Sequence, residues 1–185
     1  MSKDRLYIFD TTLRDGAQTQ GVHFSIDEKT KIAHALDSLG VDYIEGGWPG
    51  ANPSDTEFFQ KGLDLKNSKF TAFGMTKKSG RSAENDPGLS AIMNSNTESV
   101  CLVGKTWDFH VDVALGISNE ENIENIKETT KHFVKSDKEF MFDAEHFFVG
   151  YKSNPRYALE CIKAAYDNGA KWIVLCDTNG GTLPH

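Results

Sequence analysis

The sequence predicts an α/β fold with a parallel sheet: a (β/α)₈ (TIM) barrel, supplied here to about six strands and five helices. Strand-like apolar runs alternate strictly with segments of helical period from end to end. The strand starts lie roughly 30–40 residues apart, the length of one βα unit. No G-x-G-x-x-G follows the first strand, as a dinucleotide-binding doubly wound sheet would require. A long polar loop over residues 11–24 stands there instead. A complete barrel takes ~250 residues, so this chain accounts for most of one. A doubly wound open sheet is the competing arrangement.

The strands fall at residues 6–10, 41–45, 70–74, 99–103, 139–144 and 172–177. Between the first two, Ser25 and Glu28 form a capping box. Ile32, Leu36 and Leu39 make one apolar stripe, and Gly40 is the stop. A second helix follows Asn52-Pro53-Ser54 through Phe58, Phe59 and Leu63. A shorter third follows Asp86-Pro87 through Leu89, Ile92 and Met93. The fourth starts at Asn119, with Glu120, Glu121 and Glu124 near its positive end and Ile123, Ile126, Phe133 and Val134 inward. Asn154-Pro155 opens the fifth, whose inner face carries Ala158, Cys161, Ile162 and Ala165 before Asn168-Gly169 ends it. No linker or repeat interrupts this order, so residues 1–185 read as the N-terminal portion of a single barrel domain.

With 20 basic against 27 acidic residues the net charge is −7, opposite to the clustered basic excess of a nucleic-acid binder. No apolar run approaches the ~20 residues of a membrane span, and no signal-like segment follows the N-terminus. Cys101, Cys161 and Cys176 are odd in number and far apart, with neither disulfide nor zinc spacing. These features predict a cytoplasmic protein with no nucleic-acid or membrane partner.

In a parallel barrel the chemistry sits at the C-terminal strand ends. Those ends collect Asp10-Thr11-Thr12-Leu13-Arg14-Asp15-Gly16-Ala17-Gln18, Glu45-Gly46-Gly47-Trp48-Pro49-Gly50, Asp143-Ala144-Glu145-His146 and Asp177-Thr178-Asn179-Gly180-Gly181. Period-2 alternation places Met141 and Asp143 on the side of Glu145, and Val174 and Cys176 on that of Thr178. A mouth of carboxylates and one arginine suits a divalent cation and an anionic oxo-substrate. Oxygen ligands favour Mg²⁺ or Mn²⁺, and added imidazole widens the choice to Zn²⁺ or Co²⁺.

Each residue carries two readings at this point. Asp15 is a monodentate ligand or a turn stabiliser, and Asp10 a turn cap through backbone hydrogen bonds. Arg14 is a fork for a carboxylate or developing enolate braced by Glu45, or half of a structural ion pair. Asp143, Glu145 and His146 are a ligand cluster, or His146 is a hydrogen-bonded strand-end histidine. His34 and His132 read as helix-surface residues, Cys176 as a small core residue, and both glycine pairs as sharp turns.

Phe9-Asp10-Thr11-Thr12-Leu13-Arg14-Asp15-Gly16-Ala17-Gln18 resembles the opening of the DRE-TIM metallolyase superfamily. That group includes isopropylmalate, homocitrate and citramalate synthases and hydroxymethylglutaryl-CoA lyase. Tyr43-Ile44-Glu45-Gly46-Gly47-Trp48-Pro49-Gly50-Ala51-Asn52-Pro53 narrows the likeness to the citramalate synthase branch. Glu145-His146-Phe147-Phe148 and Leu175-Cys176-Asp177-Thr178-Asn179-Gly180-Gly181-Thr182-Leu183-Pro184-His185 point the same way. The resemblance implies Asp15 as metal ligand and Arg14, Glu45 and Glu145 as the catalytic set, Glu45 holding Arg14. It makes Arg14, Gln18, Glu145 and Thr178 the substrate contacts, with Thr178 on the substrate carboxylate. It implies a divalent metal (Mn²⁺, Mg²⁺, Zn²⁺ or Co²⁺), acetyl-CoA as co-substrate, a 2-oxo acid acceptor and a homodimeric parent.

The implied reaction condenses acetyl-CoA with pyruvate to citramalate and CoA, a step towards isoleucine. Other 2-oxo acids, or retro-Claisen cleavage, fit the same site. An inactive barrel piece acting as an interaction module is the reading from another class. In such enzymes a His-x-His pair completes the metal site, here expected beyond residue 185. The catalytic base likewise comes from outside the strands read here. The sequence stops where a helix should begin, which predicts a piece of a longer chain, inactive alone.

Overall fold

The computed structural model describes residues 5–183, so the Pro184-His185 end of the last motif lies outside it. The strands are β1 (Phe9–Asp10), β2 (Tyr43–Gly47), β3 (Lys69–Met75), β4 (Ser99–Lys105), β5 (Glu139–Glu145) and β6 (Trp172–Leu175). All neighbours are parallel and the spatial order is β1-β2-β3-β4-β5-β6. A doubly wound sheet reverses its strand order at a switch point. This one never does, so the chain forms a half-barrel and the competing arrangement is excluded.

The helices are α1 (Ile26–Leu39), α2 (Pro53–Lys61), α3 (Pro87–Met93), α4 (Asp108–His110), α5 (Asn119–Val134), α6 (Phe147–Ser153) and α7 (Pro155–Asp167). Two of them exceed the five expected. α4 is one turn, continued by a π-turn over Val111–Leu115, and α6 is a seven-residue helix immediately after β5. Both are too short to show a period of 3.6.

The start signals hold. Ser25 and Glu28 form the reciprocal box, Gly40 closes α1 at φ 85°, and Asn52, Asp86, Ser118 and Asn154 cap α2, α3, α5 and α7. The apolar stripe on α1 needs correction. Leu39 is 78% exposed, while Lys29, Ala33 and Asp37 are buried. Asp37 turns inward because its carboxylate accepts from the backbone N–H groups of Lys66, Asn67 and Ser68.

Side chains alternate across the sheet. Val100, Leu102, Phe140, Phe142 and Ala144 face the helices and join the main core with Phe133, Ala158 and Ala165. The opposite parity faces the barrel interior, where Cys101 and Met141 pack with Tyr43 in a second cluster. Register stacks these inner residues in tiers: Ser99 beside Glu139, Cys101 beside Met141, Val103 beside Asp143, Lys105 beside Glu145. The expected inward parity of Met141, Asp143 and Glu145, and of Val174 and Cys176, is what the structure has.

Gly46 and Gly47 are not a turn, as expected, but the end of β2, where the β2–β3 register slips. A Cβ on Gly46 would lie 2.3 Å from the Phe70 ring, and one on Gly47 (φ 147°) 2.6 Å from the Asp55 carboxylate. Gly180 does lie in a turn, donating its N–H to the Asp177 carbonyl at 2.8 Å. Observed strand ends differ from the expected ones by a residue or two, except that β1 starts three residues late. Before it, the Asp42 carboxylate and backbone N–H already occupy the polar groups of Ile8.

Candidate active site

The C-terminal ends of all six strands open into one cavity of about 610 Å³. Its wall brings together Arg14, Asp15, Gln18, Glu45, Asp143, Glu145 and Thr178; His146, the other member of the expected ligand cluster, does not line it. Asp10 accepts from the Thr12 N–H and hydroxyl, so it is the turn cap expected of it.

Arg14 is the best-held group. Its Nε donates to Glu45 Oε2 at 2.6 Å, and an Nη donates to Asp15 Oδ1 at 3.1 Å. Its guanidinium lies 3.9 Å over the Phe73 ring, which is met edge-on by Trp48. Burial pulls the Arg14 pKa down, but Glu45, Asp15 and Asp143 outweigh it and hold the cation firmly charged. Glu45 is fully buried, and its Oε1 has no hydrogen-bond partner. Burial pushes Glu45 up to about 7 although Arg14 pulls the other way. The pair is thus a cation beside a carboxyl whose burial works against its charge while its partner works for it.

Asp15 is 63% exposed at the mouth. Glu45, Asp143 and Glu145 stand around the same cavity, an oxygen-rich wall about one open carboxylate. That donor set fits one arm of a divalent-cation site, with Asp15 the accessible ligand. It is not a complete shell among the described residues.

Lys105 was missed by sequence reading and is central here: its ammonium pairs with Glu145 Oε2 at the end of β4. The period-2 rule that found Glu145, applied to Cys101 and Val103, reaches Lys105. Cys176 is not a core residue but lines the cavity, and its thiol donates to Asp143 Oδ1 at 3.0 Å. Burial and that carboxylate raise the thiol well above its ordinary value, so it is a neutral donor and not an activated nucleophile. Asp143, raised by burial, faces Cys176 rather than a ligand cluster with His146. Thr178 Oγ1 accepts from the His146 backbone N–H at 2.9 Å, which leaves its own hydroxyl proton for an anionic partner. His34 is exposed, as expected, and His132 lies partly covered beside Glu84.

Chemically, the cavity offers a fixed cation, a hydroxyl donor, an open carboxylate for a metal and a Lys–Glu pair. This set suits a small anionic substrate on which negative charge develops. Among the described residues, no helix is long and apolar enough to cross a membrane.

A family model described as HMGL-like matches residues 5–185. The chain is 52% identical over 184 residues to the (R)-citramalate synthase of Aquifex aeolicus, covering 98% of this chain and 35% of that protein. It is 48% identical over 179 residues to the (R)-citramalate synthase of Geobacter sulfurreducens, covering 96% and 34%. A 2-isopropylmalate synthase of Caldanaerobacter subterraneus is 31% identical over 185 residues, covering all of this chain and 45% of that one. The chain spans about a third of the length of the curated citramalate synthases it matches. The crystal structure of a Bacillus subtilis HMG-CoA lyase superposes with a TM-score of 0.78 at 18% identity, over 97% of this chain and 60% of that one. That likeness establishes the barrel fold.

Proposed function

The chain belongs to the HMGL-like (DRE-TIM) family, and on that premise we propose that it is the N-terminal part of a citramalate synthase barrel. Its reaction is then the metal-dependent, Claisen-type condensation of acetyl-CoA with pyruvate, giving citramalate and CoA. The observation that carries this reading is the 52% identity to an (R)-citramalate synthase over nearly the whole chain. The 31% relative that makes isopropylmalate supports the same chemistry on a larger acceptor as the second reading.

Asp15 would be the ligand this chain gives to the metal, with the rest of its shell outside the described residues. The bound cation would supply Lewis-acid polarisation of the acceptor's keto group. Arg14 then faces the oxygen on which charge develops. Its planar fork is preoriented by Glu45 and Phe73 and reorganises little as the reaction proceeds. Thr178 donates its hydroxyl to the acceptor carboxylate. Glu145 contacts the acceptor from the opposite wall, its charge balanced by Lys105, and Gln18 closes the polar rim beside Asp15. No residue here is assigned the abstraction of the acetyl proton.

The test is CoA-thiol release from acetyl-CoA by the full-length protein with Mn²⁺ or Mg²⁺, offering pyruvate, 2-oxoisovalerate and 2-oxoglutarate separately. Release with pyruvate, lost in Asp15→Ala, is the expected result. Preference for another acid would overturn the acceptor, and no release with any would overturn the synthase reading.

A further inference from the structure

Just past β5 the chain gathers a donor set different in kind from the oxygen-rich mouth. One ligand atom from each of His110, Glu145 and His146 lies within 4.8 Å of the other two. His110 comes from α4, a single turn, and the other two from the end of β5 and the residue after it. The two imidazoles meet edge to face with centroids 4.5 Å apart. The Trp107 ring covers both, at 4.6 Å from His110 and 6.0 Å from His146.

One further feature points to a ligand. His146 Nδ1 is buried and has no hydrogen-bond partner, a state a ring nitrogen keeps only at a desolvation cost. His146 sits at φ 54°, in the left-handed region that His, Asn and Asp enter more readily than other side chains. In that conformation its N–H donates to Thr178 Oγ1.

We propose that His110, Glu145 and His146 bind a divalent transition ion of the Zn²⁺ or Co²⁺ class, at a site separate from the one that Asp15 serves. Two imidazoles and one carboxylate are the donors such ions prefer, whereas Mg²⁺ and Ca²⁺ take oxygen. Three protein ligands leave a position for water. The charged neighbour is Lys105, whose ammonium holds Glu145 Oε2, so binding exchanges that contact or uses the second carboxylate oxygen. Glu145 belongs to both this site and the cavity. Occupancy would therefore tie down a residue of the acceptor pocket, a consequence that rests on the proposed condensation, whereas binding itself does not.

The experiment is Co²⁺ titration of the full-length, chelator-stripped protein, read by equilibrium dialysis and by visible d–d absorption, without turnover. Wild type should bind one equivalent more than His110→Gln and His146→Asn, while Asp15→Asn keeps that equivalent and its band. Asn is chosen at residue 146 because it tolerates the left-handed backbone. In wild type, Zn²⁺ should also protect His110 and His146 from diethylpyrocarbonate, read by peptide mass mapping, whether or not either variant folds. Unchanged stoichiometry in both folded variants, or no protection of either histidine, would overturn the site.

Discussion

Arg14 combines three supports that a lysine could satisfy only in part: the Glu45 carboxyl, Asp15, and the face of Phe73. Lys would keep a positive charge beside Glu45 but not the planar fork or its stacking. Arg14→Lys should therefore fold, and lower kcat for CoA release by roughly 10²-fold, the scale of losing one preorganised donor. An unchanged kcat would remove Arg14 from the chemistry. This site residue was legible because its loop is local: Arg14, Asp15 and Gln18 follow β1 directly, and Glu45 sits in the next strand end. Phe73, Lys105 and the Cys176–Asp143 contact were not. Each arrives from a different strand, and only register decides which inner residues stand in one tier. His110 lies in a one-turn helix that carries no periodic signal, so its meeting with His146 had no signature in the sequence.

Elements are fastened to the mouth by a second buried pair. Lys29, on α1, donates to Asp55 Oδ1 at 2.6 Å and to the Gly46 carbonyl at 2.9 Å. Asp55, on α2, also accepts from the Trp48 backbone N–H at 2.9 Å. One carboxylate thus ties two helices to the bulged end of β2, next to Glu45. The Lys29 side chain is only 6% exposed, so removing its partner strands a charge away from water. Asp55→Ala should cost about 3 kcal/mol, the lower end for breaking a buried pair. Urea unfolding of Asp55→Ala and of the double variant Lys29→Met/Asp55→Ala measures this. The double variant should recover part of the loss, and equal losses would mean that the stranded ammonium is not the cause. Both residues sit where sequence patterning expects polar helix surface, and that is why the pair was not foreseen. The same limit hid α6. Gly150 interrupts its seven residues, yet a Cβ there would lie 2.6 Å from the Thr106 carbonyl. The glycine that weakens the helical signal is what lets α6 pack against the end of β4.

Across the whole sheet, the strand alternation was readable because a parallel sheet covered by helices leaves long apolar runs. The polar plug at its lower end was not, since it joins residues far apart in the chain. Glu139, opening β5, accepts from Lys69 of β3 at 2.6 Å, from Lys171 just before β6 at 2.7 Å, and from the Tyr43 hydroxyl of β2. Trp172 Nε1 donates to the same hydroxyl at 3.1 Å. Burial alone would raise Glu139, but the hydrogen bonds from Lys171, Lys69 and Tyr43 outweigh it and bring it down to about 2; burial and the same carboxylate push Tyr43 up to about 12. A carboxylate whose folded pKa is depressed contributes stability that is fully present above its unfolded value, near 4.5. That contribution is lost as pH falls towards about 2. Lys69 and Lys171 are 40% and 52% exposed, so solvent screening reduces the contribution to about 1–2 kcal/mol. Glu139→Gln should therefore be less stable than wild type by that amount at pH 7, with the gap narrowing as pH falls from 4.5 to 2.5. Urea midpoints across that range test it: a gap that stays constant with pH would mean that packing, not the charge of Glu139, holds the lower end of the half-barrel together.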